Sequence, residues 1–133
     1  MSSCTRTLGV IGGSGLYELQ GLTQVEEVHQ MTPFGAPSDV IMAGTLGDTR
    51  LLFLPRHGRD HRLPPHRINY RANVLALKMA GAEQILSISA VGSMNDALQP
   101  GDMGIGDHVI DRPRHRVATF FDDDGGVAPV GSA

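Results

Sequence analysis

The 133-residue chain has no tryptophan, only two tyrosines and four phenylalanines, and a single cysteine. Each shortage removes a class of function. With Cys4 alone, an internal disulfide is impossible, so the small secreted disulfide scaffolds are excluded and a reducing cytoplasm is the expected compartment. Only Tyr70 lies near the basic residues, so the interleaved aromatics that stack single-stranded bases are missing. A net charge of −3 argues in the same direction, against a general nucleic-acid binder. No apolar run approaches the roughly 18 residues a membrane helix needs, and residues 1–7 lack the apolar stretch of a secretory signal. The class left is a soluble, cytoplasmic globular protein, one domain or part of one, long enough to bury a core.

Glycine, by contrast, is plentiful at 17 residues, and it gathers where apolar runs stop. Residues 7–11 read as a short buried strand running into Gly12-Gly13-Ser14-Gly15. Two further strands are expected over 40–46 and 50–54, joined at Gly47-Asp48 by a hairpin signal. Residues 16–36 carry no clear periodicity. A helix is expected from Tyr70 to Ala80, capped by Asn69 and ended by Gly81. Its apolar residues Tyr70, Val74, Leu77 and Leu75, Met79 recur at three- and four-residue intervals, which predicts one buried face. Residues 84–90 read as another strand, Gln99-Pro100-Gly101-Asp102 as a turn, and 103–110 as a last strand. Residues 122–133, opening with three aspartates, read as a disordered tail. Strands separated by a helix, with glycine and serine at their C-terminal ends, predict an α/β sheet with a ligand crevice at those ends.

The chemistry concentrates in residues 56–71, which hold Arg56, His57, Arg59, His61, Arg62, His66, Arg67 and Arg71 against one acid, Asp60. Half of the ten arginines sit in these sixteen residues. Arginine's planar fork matches phosphate oxygens bidentately, so a buried strand ending in Arg56-His57 suits a small, multiply charged anion. The alternative is a solvated helix start with ordinary ion pairs. Gly12-Gly13-Ser14-Gly15 likewise admits a simple tight turn or a cradle of N–H groups with the Ser14 hydroxyl added. It fails as a dinucleotide fingerprint, because Glu18 stands where the third glycine belongs. Ser87, Ser89 and Ser93 offer further hydroxyls at a strand end, although buried serines often only satisfy nearby backbone. The three histidines could suggest zinc, but the arginines interleaved with them, and the near absence of carboxylates, would repel a divalent cation; no metal site is expected.

Taken in order, these pieces resemble one family. The stretches around Gly12-Gly13-Ser14-Gly15, Thr32-Pro33-Phe34-Gly35-Ala36-Pro37-Ser38, Arg56-His57-Gly58-Arg59, Asn69-Tyr70-Arg71-Ala72-Asn73, Ser89-Ala90-Val91-Gly92-Ser93 and Gln99-Pro100-Gly101-Asp102 are similar to those of the S-methyl-5'-thioadenosine phosphorylases, in the trimeric branch of the purine nucleoside phosphorylases. The resemblance runs from about residue 7 to about residue 121. It implies a partial phosphorylase-type α/β fold, with a mixed central sheet flanked by helices. The implied reaction is phosphorolysis of a purine (thio)nucleoside to free base and a ribose 1-phosphate, in purine and methionine salvage. Inorganic phosphate is then a co-substrate, and no cofactor is implied. By the same resemblance, phosphate-binding roles fall on Ser14, Arg56, His57, Ser89 and Ala90, the last through its backbone N–H, and His61 lies near the sugar. A homotrimer is implied for the full-length protein.

Members of the family are roughly twice this length, and their second half carries the groups that grip and protonate the base. The chain is therefore expected to be the amino-terminal portion of a single phosphorylase domain, truncated before its second half. Pro129 stands where the family has a histidine reaching a neighbouring subunit's site. Two readings follow: part of a purine (methylthio)nucleoside phosphorylase, or a non-catalytic chain that keeps only a phosphate-binding half-site.

Overall fold

A computed structural model describes residues 6–13, 20–112, 116–117 and 119–121. The chain divides into two compact units, Met1–Ser89 and Ala90–Ala133. The first holds five strands, β1 Arg6–Gly12, β2 Thr23–Val28, β3 Ile41–Leu46, β4 Thr49–Pro55 and β5 Gln84–Ser87, with helix α1 Tyr70–Met79. They form one mixed sheet in the order β2-β3-β4-β1-β5. β1 is parallel to both β4 and β5, while β2-β3 and β3-β4 are antiparallel. The α/β architecture expected from the sequence is present.

β4 lies inside the sheet because its run Leu51-Leu52-Phe53-Leu54 is apolar on both faces, as a strand covered on two sides must be. Alternation then sorts its side chains. Leu52 and Leu54 join Ile41, Ala43, Ala76 and Leu77 in a core beneath α1. Leu51 and Phe53 join Val10 on the opposite face, with Leu8, Leu22 and Met42 packed around them. Each fully buried leucine contributes about 1.5–3 kcal/mol. Gly9 of β1 lets the helix sit close: a Cβ there would lie 3.2 Å from both Leu77 Cδ1 and Ala82 Cβ.

Helix α1 starts where Asn69 caps it, the Asn69 side chain accepting from the Ala72 N–H at 3.1 Å. It ends at Gly81, whose φ of +103° few other residues adopt. The buried stripe is Ala72, Asn73, Ala76 and Leu77. Of the larger apolar residues whose spacing suggests a buried face, only Leu77 is fully buried; Val74 and Leu75 are half-buried, and Tyr70 is 38% and Met79 50% exposed. Small side chains in the contact let the helix axis approach the sheet, and the bulkier ones are left at its flanks.

Three boundaries differ from the sequence reading. β2 occupies part of the aperiodic 16–36 region, with a register shift between Thr23 and Glu26. β5 stops at Ser87; pairing persists only to the Ile88 N–H, which donates to Ile11 O at 2.8 Å where β1 runs out. The strand expected over 103–110 does not form. Met103, Ile105, Val109 and Ile110 are 85–100% exposed, and a strand persists only where a neighbour completes its ladder. Among its described residues the second unit has turns instead. Asn95–Leu98 closes by Leu98 N–H to Asn95 O at 3.0 Å, and the expected turn at 99–102 closes by Asp102 N–H to Gln99 O at 3.0 Å. Residues 122–133 lie outside the described residues.

Candidate functional site

Parallel pairing brings the C-terminal ends of β4, β1 and β5 to one side of the sheet: Gly12 stands opposite Pro55, and Ile11 opposite Ser87. The Arg56 N–H donates to Gly12 O at 3.2 Å, so Arg56 leaves β4 directly beside the end of β1. Its side chain crosses toward the end of β5. Nη1 donates to Ile88 O at 2.9 Å and to Ser89 Oγ at 2.7 Å, while Nε donates to His57 Nε2 at 3.2 Å. Nη2 is left with no partner among the described residues. So is the Ser89 hydroxyl proton, because Ser89 Oγ accepts from Arg56. Two guanidinium N–H groups and one O–H therefore stand together, available to an anion.

His57 is engaged at both ring nitrogens. Nδ1 donates to Leu63 O at 2.9 Å, and Nε2 accepts from Arg56. A carbonyl can only accept and an arginine N–H can only donate, which fixes the proton on Nδ1. The His61 ring stacks on His57, centroids 5.8 Å apart and 16° from parallel. His61 holds φ at +50°, a conformation rare for a residue with a side chain. Gly58 precedes it at φ +77°, and a Cβ there would come 2.8 Å from Arg62 Nε.

Three of the remaining arginines of the basic stretch are occupied elsewhere. Arg59 pairs with Glu27 at 2.8 Å and Asp39 at 3.5 Å, and its N–H donates to Asp39 Oδ2 at 2.7 Å. Arg62 donates to Ser38 O at 2.9 Å. The Arg71 guanidinium lies 4.6 Å from the centre of the Phe34 ring. His66 and Arg67 sit exposed on a 3₁₀ turn, Pro65–Arg67. The solvated-face alternative thus describes most of the stretch, and the anion reading describes Arg56. Among the described residues no group of three or more His, Cys, Asp or Glu side chains is gathered as for a metal.

Of the residues singled out from the sequence, the fold brings together Arg56, His57, Ser89 and His61. Ser14 lies outside the described residues, and Ala90 is the first residue of the second unit. Sequence reasoning missed the supports. Asn73, 1% exposed, accepts from the Ser38 N–H at 2.7 Å and donates to Ser38 Oγ at 2.9 Å. That latch fixes the segment carrying Asp39, which in turn holds the Arg59 backbone and the loop behind His57. The available signal was an uncharged polar residue on a helix face otherwise made of alanine and leucine.

The sequence pattern of the Phosphorylase superfamily matches residues 7–133. The S-methyl-5'-thioadenosine phosphorylase of Hyperthermus butylicus is 52% identical over 126 residues, covering 95% of this chain and 46% of that protein. Its counterpart in Thermosynechococcus vestitus is 50% identical, covering 97% of this chain and 44% of that one. The chain thus spans less than half the length of these relatives. Among solved structures, a methylthioadenosine phosphorylase sourced from an antarctic soil metagenomic library superimposes with TM-score 0.67 at 46% identity, over 75% of this chain and 34% of that one. The Schistosoma mansoni methylthioadenosine phosphorylase in complex with adenine gives TM-score 0.65 at 45% identity, over 73% of this chain and 34% of that one. A match of this extent to the pattern, joined to this likeness in sequence and fold, makes the chain a member of the phosphorylase superfamily.

Proposed function

We propose that this chain is the amino-terminal portion of a single nucleoside phosphorylase domain and supplies the phosphate side of its site, with S-methyl-5'-thioadenosine as the nucleoside. The observation that carries the reading is the Arg56 guanidinium, pinned at the strand ends with Nη2 left open, among the described residues, beside the Ser89 hydroxyl. The names of the relatives support the choice of nucleoside. In the reaction a phosphate oxygen bonds to C1' of the ribose. The bond from C1' to the purine breaks with its electron pair going to the base, which then takes a proton. The products are adenine and 5-methylthioribose 1-phosphate.

No covalent nucleophile is needed, and the chemistry asks for no cofactor. The demand on the protein is to hold the phosphate against the sugar; such positioning can remove about 7–11 kcal/mol of barrier. Arg56 and Ser89 are the phosphate donors in this proposal, with His61 on the sugar side; the family resemblance adds Ser14 and the Ala90 N–H as phosphate-binding groups. The same reading assigns the protein to purine and methionine salvage in the cytoplasm, and to a homotrimer when the whole domain is present. Among the described residues, no helix is long and apolar enough to cross a membrane.

The test is phosphate-dependent release of adenine from S-methyl-5'-thioadenosine. Loss of one fixed donor to a developing charge costs about 3–4 kcal/mol, so Arg56→Ala should lower turnover by at least about two orders of magnitude. Unchanged turnover in that variant would sink the assignment. A second reading, anion binding without catalysis by this chain alone, is favoured by the apolar surface that β5 leaves open, with Ile85, Leu86 and Ile88 each 40–48% exposed. Phosphate binding with no base release supports it.

A further inference from the structure

We propose that Asp39 is a positioning residue for the reaction: its carboxylate holds the 57–63 loop in the shape that presents His61 to the sugar side of the site. The inference deepens the phosphorylase reading above and rests on it for the role of His61. Asp39 stands just before β3, twenty residues ahead of Arg59 in the chain, and its side chain is only 12% exposed. A carboxylate so withdrawn from water must be satisfied by protein donors. Oδ1 accepts from the Val40 N–H at 2.8 Å, and Oδ2 accepts from the Arg59 N–H at 2.7 Å. Arg59 Nε lies 3.5 Å from Oδ1, and Arg62 Nη2 lies 3.9 Å from Oδ2. One side chain thus holds the loop by its backbone and by two guanidinium groups.

The anchor is itself fixed to the core. Behind Asp39, Ser38 is latched to Asn73 by two hydrogen bonds; ahead of it, Ile41 is fully buried. The backbone bonds within the loop are short-range by comparison. Gly58 N–H donates to Pro55 O, His61 N–H to Gly58 O, and Leu63 N–H to His57 O. His61 nevertheless holds φ at +50°, a conformation that persists only where the surroundings enforce it. The Arg59 N–H lies two residues before His61, inside the turn that Gly58 and His61 close. Bound to Asp39, it ties that turn to β3, and the His61 ring stays stacked over His57 at 5.8 Å. An ionised acceptor suits this task, since a charge-assisted hydrogen bond is about twice as strong as a neutral one.

The experiment is limited trypsin digestion of the full chain, comparing the wild type with D39A, D39N and E27Q. Cleavage after Arg62 reports opening of the loop, while cleavage after Arg50 in β4 and Lys78 in α1 reports loss of the fold. A hydrogen bond to a charged group shifts an equilibrium by about tenfold or more, so D39A should raise cleavage after Arg62 about tenfold. Cleavage after Arg50 and Lys78 should stay within about twofold on the same grounds, because the core is untouched. D39N keeps an oxygen for the Arg59 N–H and should recover most of the protection. E27Q removes the other acid beside the Arg59 guanidinium and leaves the backbone bond intact, so it should digest like the wild type. Three outcomes would overturn the proposal: no gain of cleavage after Arg62 in D39A, equal gains at all three sites, or E27Q matching D39A.

Two further readouts reach His61 and the reaction. In NMR the His61 ring protons should lose the shift imposed by the His57 ring in D39A and regain it in D39N; signals unmoved in D39A would overturn the proposal. In phosphate-dependent release of adenine from S-methyl-5'-thioadenosine, D39A should lower kcat about tenfold and leave KM for phosphate within about twofold. D39N should recover most of kcat, and a rise in phosphate KM with kcat unchanged would overturn the assignment to the sugar side. A wild-type chain that releases no adenine counts against the catalytic reading instead, and the digestion and ring signals then decide the loop's dependence on Asp39 by themselves.

Discussion

At one edge of the sheet β2 presents Glu26 and Glu27, a register shift near Thr23, and Gln24 at φ +53°. At the other edge β5 presents Ile85 and Leu86, 40% and 48% exposed, in a regular four-residue strand. Charge and a bulge are the usual means by which an edge refuses further pairing, so β2 ends the sheet. β5 carries neither device. The chemistry follows the same division. On the β2 side the cations are matched: Arg50 meets Glu26 at 3.0 Å, and Arg59 meets Glu27 at 2.8 Å. On the β5 side Arg56 meets only neutral groups among the described residues, and its open N–H groups remain for a ligand. A basic stretch thus does two jobs, and the partner each arginine finds decides which.

The largest effect that separates the two sides is the loss of turnover in Arg56→Ala, set against a change on the matched side that leaves the strand ends intact. Next comes the latch between them. Asn73→Ala strands the buried Ser38 N–H and removes both hydrogen bonds, so it should cost about 2–3 kcal/mol in denaturant unfolding. A loss under about 0.5 kcal/mol would mean that the loop finds its place without the helix. Leu86→Lys sharpens the edge comparison: folding free energy should move by no more than about 0.5 kcal/mol, as for other surface changes. Self-association at high concentration should fall, and sedimentation reads that directly. Smallest is Arg50→Ala. Its pair with Glu26 is well exposed, at 39% and 61%, so removal should cost less than about 1 kcal/mol, and added salt should abolish the difference.

Sequence signals located the elements whose cause is local. Asn69 caps α1 as its side chain dictates, and Gly47-Asp48 turns β3 into β4 with Gly47 at φ +57°. The apolar runs of β1 and β4 are legible because both faces are buried. β2 was hidden, since an edge strand facing water on both sides needs no alternation, and Thr23-Gln24-Val25-Glu26-Glu27-Val28 shows none. Residues 103–110 failed in the opposite sense: they carry apolar side chains, but pairing is a property of two strands, and one segment cannot report its partner.

The site divides along the same line. Arg56, His57 and Ser89 were visible as residue types at strand ends. That His57 faces Leu63 and Arg56 with both nitrogens, and that Arg59 and Arg62 are bound into Asp39 and Ser38, depends on loop closure and could not be read from spacing.

The account turns on the strand ends of β4, β1 and β5 forming an anion site through Arg56. Titrating the full chain and its Arg56→Ala variant with inorganic phosphate tests this most directly. Measurable binding by the wild type, weakened about ten- to a hundredfold in the variant, is the predicted result. Equal affinity in the two proteins, or no binding by the wild type, would contradict it.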